Sequence, residues 1–188
     1  MSITTIDPKT ALIVVDLQKG IASLPAAVPP VSQTVASAVM LVEAFRRHDL
    51  PIVFVNVAGA APGRNEQAQR ALSMPDDWTE LLPELDRQAH EHLVTKRTWG
   101  AFTGTDLAAH LRASGVTQVV LSGIATSIGV ESTARQAHEL GFNVTFAIDA
   151  MSDLSAQAHE NSLLRIFPAL GETGTAQAIC EALDRRHA

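Results

Sequence analysis

QVVLSGIATSIGVESTAR, residues 118–135, decides the fold. Residues 118–123 form a short apolar run containing Val and Leu, as a strand buried on both faces requires. A glycine-containing turn follows, and then Val130, Ala134, Ala137 and Leu140 recur at helical spacing. Thr126 and Ser127 stand where a helix start needs a side-chain oxygen for its free N–H groups. A strand passing through a tight turn straight into a helix is half of a βαβ unit.

Similar runs flank it: ALIVVD (residues 11–16), PIVFVN (51–56), LVTK (93–96) and NVTFAID (143–149). Between them Val31, Val35, Val39, Val42 and Phe45, then Leu107 and Leu111, and finally Ile179 and Leu183 keep helical spacing. Ser114-Gly115 and Leu140-Gly141 each close a helical run with a glycine suited to a left-handed cap. Strands alternating with helices predict an α/β fold, a parallel sheet covered on both faces, in one domain of 188 residues. Residues 57–77 differ: Gly59, Pro62, Gly63 and Pro75 break them into a long, partly helical loop able to cover a site.

Hydrophobic residues make up 46% of the chain and charged ones 18%, which selects a compact globule over disorder. With no Tyr, aliphatic side chains must supply most of the core. A net charge of -6 gives no electrostatic reason to bind nucleic acid or an anionic membrane. Arg185-Arg186 reads as a solvated helix end. The one cysteine, Cys180, excludes an intramolecular disulfide and suits a reducing compartment. MSITTIDPKT lacks the basic and apolar regions of a secretory signal, and no apolar run is long enough to span a bilayer. A cytoplasmic protein is expected.

In a parallel sheet the strand ends collect along one edge, where ligands bind. That edge receives Asp16, Asn56, Lys96, the turn at 123–126 and Asp149. Asp16 and Lys96 are an acid and an amine placed to meet over the sheet. A nearby lysine lowers a carboxyl pKa and an apolar surround raises it, so the pair permits tuning. Backbone N–H groups at the helix start are suited to an oxyanion or a water. Gly129 allows a ligand close approach. Each also has a plain structural reading: Asp16 as a strand-end acceptor of backbone hydrogen bonds, Lys96 as a loop lysine, Gly129 as turn packing.

ALIVVDLQKG, VTKRTWGAFTGTDLAAHL, VVLSGIATSIGVESTARQAHELGFNV, AIDAMSD and FPALGETGTA, in this order over nearly the whole chain, resemble the isochorismatase-like hydrolase family, also called the cysteine hydrolase superfamily. The resemblance implies a three-layer α/β/α, Rossmann-like fold with a six-stranded parallel sheet in the order 3-2-1-4-5-6, its last strand near residues 171–173. It also implies a homo-oligomer, dimer or tetramer. Most relatives use an Asp, a Lys and a Cys. The Asp falls on Asp16 in VVDLQ and the Lys on Lys96 in VTKRTWGAF. The cysteine falls on Gly129, since T-x-x-C-V reads here as Thr126-Ser127-Ile128-Gly129-Val130.

Glycine cannot attack a carbonyl. Cys180 lies among apolar neighbours of the last predicted helix and reads as core. Ser127 and Ser132 lack a strand-end His to activate them. Within the family, however, isochorismatases that hydrolyse a vinyl ether dispense with the cysteine, and a phenazine-pathway member has Gly there. The reaction implied by the resemblance has the aspartate protonating the enol-ether carbon and water capturing the oxocarbenium ion. Asp16 would be the acid, Lys96 would orient it, and Gly129 would make room and offer its N–H.

Gln18, Arg70, Trp99, Ala125 and Thr126 are the expected substrate-binding residues. Pro62, Gly63 and Arg70 match an isochorismatase loop, in which the Arg suits a carboxylate. Ala61 and Ala125 replace a Gln and an aromatic residue of that pattern. The expectation is a hydrolase of a small carboxylate-bearing molecule, with neither metal nor cofactor. Alternatives are a binding paralogue that lost its nucleophile, and an amide hydrolase using water in place of the thiol. His90-Glu91-His92 has metal-ligand types at a spacing that diverges on a helix and reads as a solvated turn. His138 and His159 read as surface residues or partner contacts. VNVAGAAPG lacks the Asp-x-His element with which some amidase relatives bind zinc. Trp99 is expected to wall the pocket or an oligomer interface, the pocket being favoured, Phe102 to pack, Trp78 to anchor the long loop, and Asp149 and Asp153 to cap turns.

Overall fold

Residues 3–24, 28–66 and 74–185 are described by the computed structural model. Its sheet comprises β1 (Thr10–Val15), β2 (Ile52–Val57), β3 (His92–Lys96), β4 (Gln118–Ile124), β5 (Asn143–Ser152) and β6 (Glu172–Gly174). All pairings are parallel, in the order β3-β2-β1-β4-β5-β6. The helices are α1 (Lys19–Ala22), α2 (Val31–Arg47), α3 (Leu107–Ala113), α4 (Glu131–Glu139), α5 (Ala156–Asn161), α6 (Phe167–Leu170) and α7 (Ala176–Arg185).

β1 shows why ALIVVD is uninterrupted. Leu12 and Val14 belong to a core with Ala38, Leu41 and Phe45 of α2 and Ile179 and Leu183 of α7. Ala11, Ile13 and Val15 join the opposite core, with Leu107 and Leu111 of α3 and Ala134 and Ala137 of α4. Both faces are covered, so alternation disappears and every position is apolar. A fully buried aliphatic side chain contributes about 1.5–3 kcal/mol, and the central strand supplies several. Gly115 and Gly141 have φ of +69° and +86° just beyond α3 and α4, the left-handed caps expected of them.

In the long loop, residues 58–66 and 74–77 hold turns and no helix, and Arg70 lies outside the described residues. Trp78 does anchor its end. The ring packs so closely on Gly20 that a Cβ there would lie 2.3 Å from it, and Nε1 donates to Val57 O at 3.1 Å. No helix among the described residues is long and apolar enough to cross a membrane.

The reading of His90-Glu91-His92 as a solvated turn needs correction. Glu91 is buried and accepts from Arg46 Nε at 2.8 Å, Arg46 Nη2 at 2.9 Å and Gln88 N at 2.6 Å. His92 opens β3 and stacks on His110, ring centroids 3.9 Å apart. Burial works to raise the Glu91 pKa, but the Arg46 and Gln88 donors overcome it and hold the carboxyl below its usual range. Its stabilisation is therefore present at neutral pH and lost as pH falls through that lowered value. Glu91→Ala is expected to cost roughly 2–3 kcal/mol in urea denaturation at pH 7. That is less than the ~3–5 kcal/mol for a fully buried pair, because the Arg46 side chain keeps 27% exposure.

Candidate functional site

The chain leaves β1 towards the face that α2 covers and leaves β4 towards the face that α4 covers. In open parallel sheets, ligands bind at the carboxyl ends of strands whose connections depart in this opposite way. Asp16 follows β1 directly, its N–H donating to Val55 O at 2.8 Å. Its φ is +53°, a left-handed conformation that Asp tolerates better than most residues.

Lys96 ends β3, two strands away, and reaches across β2. Its Nζ donates to Asp16 Oδ2 at 2.7 Å and to Thr98 O at 3.2 Å. The two side chains are only 2% and 6% exposed. Asp16 Oδ1 is buried with no hydrogen-bond partner. Burial pushes the Asp16 carboxyl up to about 6, and the Lys96 charge and hydrogen bond offset only part of that rise. The acid and the ammonium thus meet where the strand ends placed them, in surroundings that raise the carboxyl far enough to leave a minority of it protonated near neutral pH.

Between β4 and α4 lies a single π-helical turn, Thr126–Val130, preceded by a cis peptide between Ile124 and Ala125. Gly129 is buried on it, facing the acid. A Cβ placed on Gly129 would lie 3.0 Å from Asp16 Oδ2, 3.2 Å from Val15 Cγ1 and 3.6 Å from Ile124 O.

Two of the expected substrate contacts have their polar side-chain groups engaged within the protein. Gln18 is fully buried and spent on backbone: Oε1 accepts from Val57 N at 2.7 Å, and Nε2 donates to Val57 O at 3.1 Å and Trp78 O at 2.8 Å. It latches the Trp78 segment to β2. Thr126 is also fully buried and caps nothing with its side chain. Its hydroxyl lies 3.1 Å from Ser152 O and 2.8 Å from His159 Nδ1. Trp99 is 63% exposed on the single chain. Ala125 is partly buried against the core, its carbonyl accepting from Ile128 N and Val130 N, both at 3.1 Å.

His159 is therefore no plain surface residue. A threonine hydroxyl beside an imidazole has the look of a nucleophile and base, but the proton count opposes it. When Thr126 gives its one proton to Ser152 O, His159 must supply Nδ1–H to the Thr126 hydroxyl oxygen, and the ring nitrogen facing that hydroxyl has no lone pair with which to act as its base. The helix start is likewise occupied, since Ser127 N donates to Asp153 Oδ2 at 2.7 Å and Ile128 N to Ala125 O. Asp153 Oδ1 accepts from Ser155 N at 3.1 Å, so this carboxylate ties two turns together. Asp149 accepts from Ala176 N at 2.7 Å, before α7. Asp153 caps the turns after β5 as expected, whereas Asp149 lies within β5 and caps the start of α7 instead of the turn that follows it.

Cys180 is buried in α7 with Sγ 3.9 Å from Met40 O, on the α2 side of the sheet. A cavity of about 610 Å³ opens at the other end of the strands, lined by Pro51, Ile52, His92 and His110 among others. It is remote from Asp16. Among the described residues, no group of three or more His, Cys, Asp or Glu could hold a metal ion.

A family model described as the isochorismatase domain matches residues 10–178, from the first residue of β1 into α7. The chain belongs to the isochorismatase family. An isochorismatase family protein of Bacillus subtilis, YwoC, is 47% identical over 180 residues, covering 92% of this chain and 93% of that protein. The structure of an isochorismatase family protein from Burkholderia thailandensis superposes with a TM-score of 0.92 at 42% identity, covering 97% of this chain and 100% of that one. N-carbamoylsarcosine amidase from Thermoplasma acidophilum superposes with a TM-score of 0.75 at 28% identity, covering 89% and 96%. Membership of the isochorismatase family makes the general activity hydrolytic.

Proposed function

We propose that this isochorismatase-family protein hydrolyses the vinyl ether of a small carboxylate-bearing molecule, without a covalent intermediate. One observation carries the reading: Asp16 holds one oxygen on Lys96 and the other, Oδ1, buried and unpartnered, in a carboxyl whose pKa burial lifts to about 6. A protonated Oδ1 is a general acid in search of a basic atom. It gives its proton to the enol-ether carbon, water adds to the resulting oxocarbenium ion, and the proton lost by that water returns to Asp16. The hemiketal then collapses to a ketone and an alcohol.

Lys96 has three N–H donors, two of them committed, and orients both the acid and the substrate's anionic group. Gly129 stands where the amidase relatives carry a thiol and lets Asp16 Oδ2 sit where an added Cβ would come within 3.0 Å of it. Arg70 is retained as a carboxylate ligand on the strength of the loop pattern alone.

The amidase relative keeps a second reading open, an amide hydrolase in which water replaces the thiol. The test is a panel of isochorismate, simpler enol ethers and simple amides, run with wild type and Gly129→Cys. Wild type is expected to turn over an enol ether and to leave the amides intact. In Gly129→Cys the added side chain begins 3.0 Å from Asp16 Oδ2. That crowding is expected to lower enol-ether turnover by about tenfold or more, as a misplaced reacting group does. Amide turnover appearing only in Gly129→Cys would identify a relic amidase pocket. Saturable binding with no turnover would identify a binding protein.

A further inference from the structure

Thr133 lies on α4, fully buried, and its hydroxyl makes two hydrogen bonds. It donates to Gly129 O at 2.7 Å and accepts from Ala101 N at 3.1 Å. The first bond is what a helical Thr does anywhere, bonding the carbonyl four residues back. The second is different in kind, because Ala101 belongs to the turn that leaves β3 after Lys96. In that turn the Thr98 carbonyl accepts from Lys96 Nζ, and the Thr98 hydroxyl donates to Gly100 O at 3.1 Å.

One helical turn further along α4, Gln136 accepts from Phe102 N at 3.1 Å and donates to Thr103 Oγ1 at 2.6 Å. A Cβ on Gly100 would lie 2.2 Å from Gln136 Oε1, so the segment runs directly against the helix. We propose that Thr133 is a positioning residue, whose hydroxyl sets the turn that carries the Lys96 contacts in register with the helix start that carries Gly129, and so holds the ammonium on Asp16. A single oxygen bonded to both segments transmits any shift of one to the other. Valine has the same shape and makes neither bond.

This inference rests on the pairing of Asp16 with Lys96 but needs no turnover to be tested. The probe is protein carrying ¹³C-labelled aspartate carboxyls, with the Asp16 resonance assigned by its loss in Asp16→Asn and titrated by NMR. Thr133→Val is expected to loosen Lys96 and remove part of its lowering influence, moving the Asp16 midpoint up by roughly one unit. Thr133→Ser keeps the hydroxyl and is expected to titrate as wild type does. If Thr133→Val fails to fold, Thr133→Ala against Thr133→Ser makes the same comparison.

With a turned-over substrate in hand, kcat is expected to fall in Thr133→Val with KM little changed, and to recover in Thr133→Ser. A valine variant that titrates like wild type, or a serine variant that shifts as far as valine, overturns the proposal. Should wild type turn over none of the panel, the proposed chemistry fails and the NMR comparison still decides the role of Thr133.

Discussion

Replacing Asp16 by Asn is expected to lower enol-ether turnover by roughly 10²–10⁴-fold, the contribution of a positioned general acid. The substitution is close to isosteric, and Asn accepts the left-handed φ of +53° about as readily as Asp. Its Oδ1 can still accept from Lys96 Nζ, which also keeps Thr98 O. The melting temperature is expected to fall, because a buried ammonium loses its counter-charge, yet the variant should remain folded by circular dichroism. Loss of turnover in a folded protein is then chemical. An Asp16→Asn protein within tenfold of wild type would remove the acid from the mechanism.

The pH profile supplies the sign. Asp16 must be protonated to act as the acid, and burial lifts its carboxyl to about 6 against the pull of Lys96. The rate constant is expected to be flat below that value and to fall about tenfold per pH unit above it. A general base at the same position would give the opposite slope. Measuring kcat from pH 5 to 8 separates the two without any mutation.

The legibility of this site in its sequence follows from what kind of constraint each residue obeys. β1 and β4 could be read because both faces of a central strand are buried, which leaves the run ALIVVD uninterrupted. Asp16 and Lys96 could be brought together because parallel strands deliver their ends to one edge, whatever the packing detail. Gln18 could not be read. Its partners Val57 and Trp78 lie 39 and 60 residues away, and only the tertiary approach of that segment decides that the amide faces backbone rather than substrate. The contact between Thr126 and His159 was hidden for the same reason, the two being 33 residues apart and joined by a hydroxyl whose donor role depends on Ser152. Thr133 carried a weak signal, four residues after Gly129 on the helix that continues from its turn. Its bond to Ala101 is visible only once β3 and α4 are packed. Periodicity reports which face is buried, whereas a buried polar side chain is defined by its partner.

Gly123→Ala is expected to be the most damaging single-methyl change in this protein. Gly123 pairs with Val15 in the ladder between β4 and β1, immediately before Asp16, and has φ of +126°. A Cβ there would lie 1.9 Å from Val15 O, an atom of the central strand's backbone that has no flexible end to swing away. Backbone strain of about 1–3 kcal/mol and overpacking of about 1–3 kcal/mol act together, so a loss of roughly 3 kcal/mol or more is expected in urea denaturation. Relief can come only by displacing Val15, and Asp16 with it. Turnover measured where the variant is still folded should therefore fall further than its stability alone accounts for. Gly104→Ala is the matched control, since its φ of +68° is also left-handed but nothing lies within 4 Å of an added Cβ. That change meets strain without collision and should cost about 1 kcal/mol with turnover intact. Equal losses in the two variants would mean that conformational strain, and not contact with the Val15 carbonyl, is what Gly123 avoids.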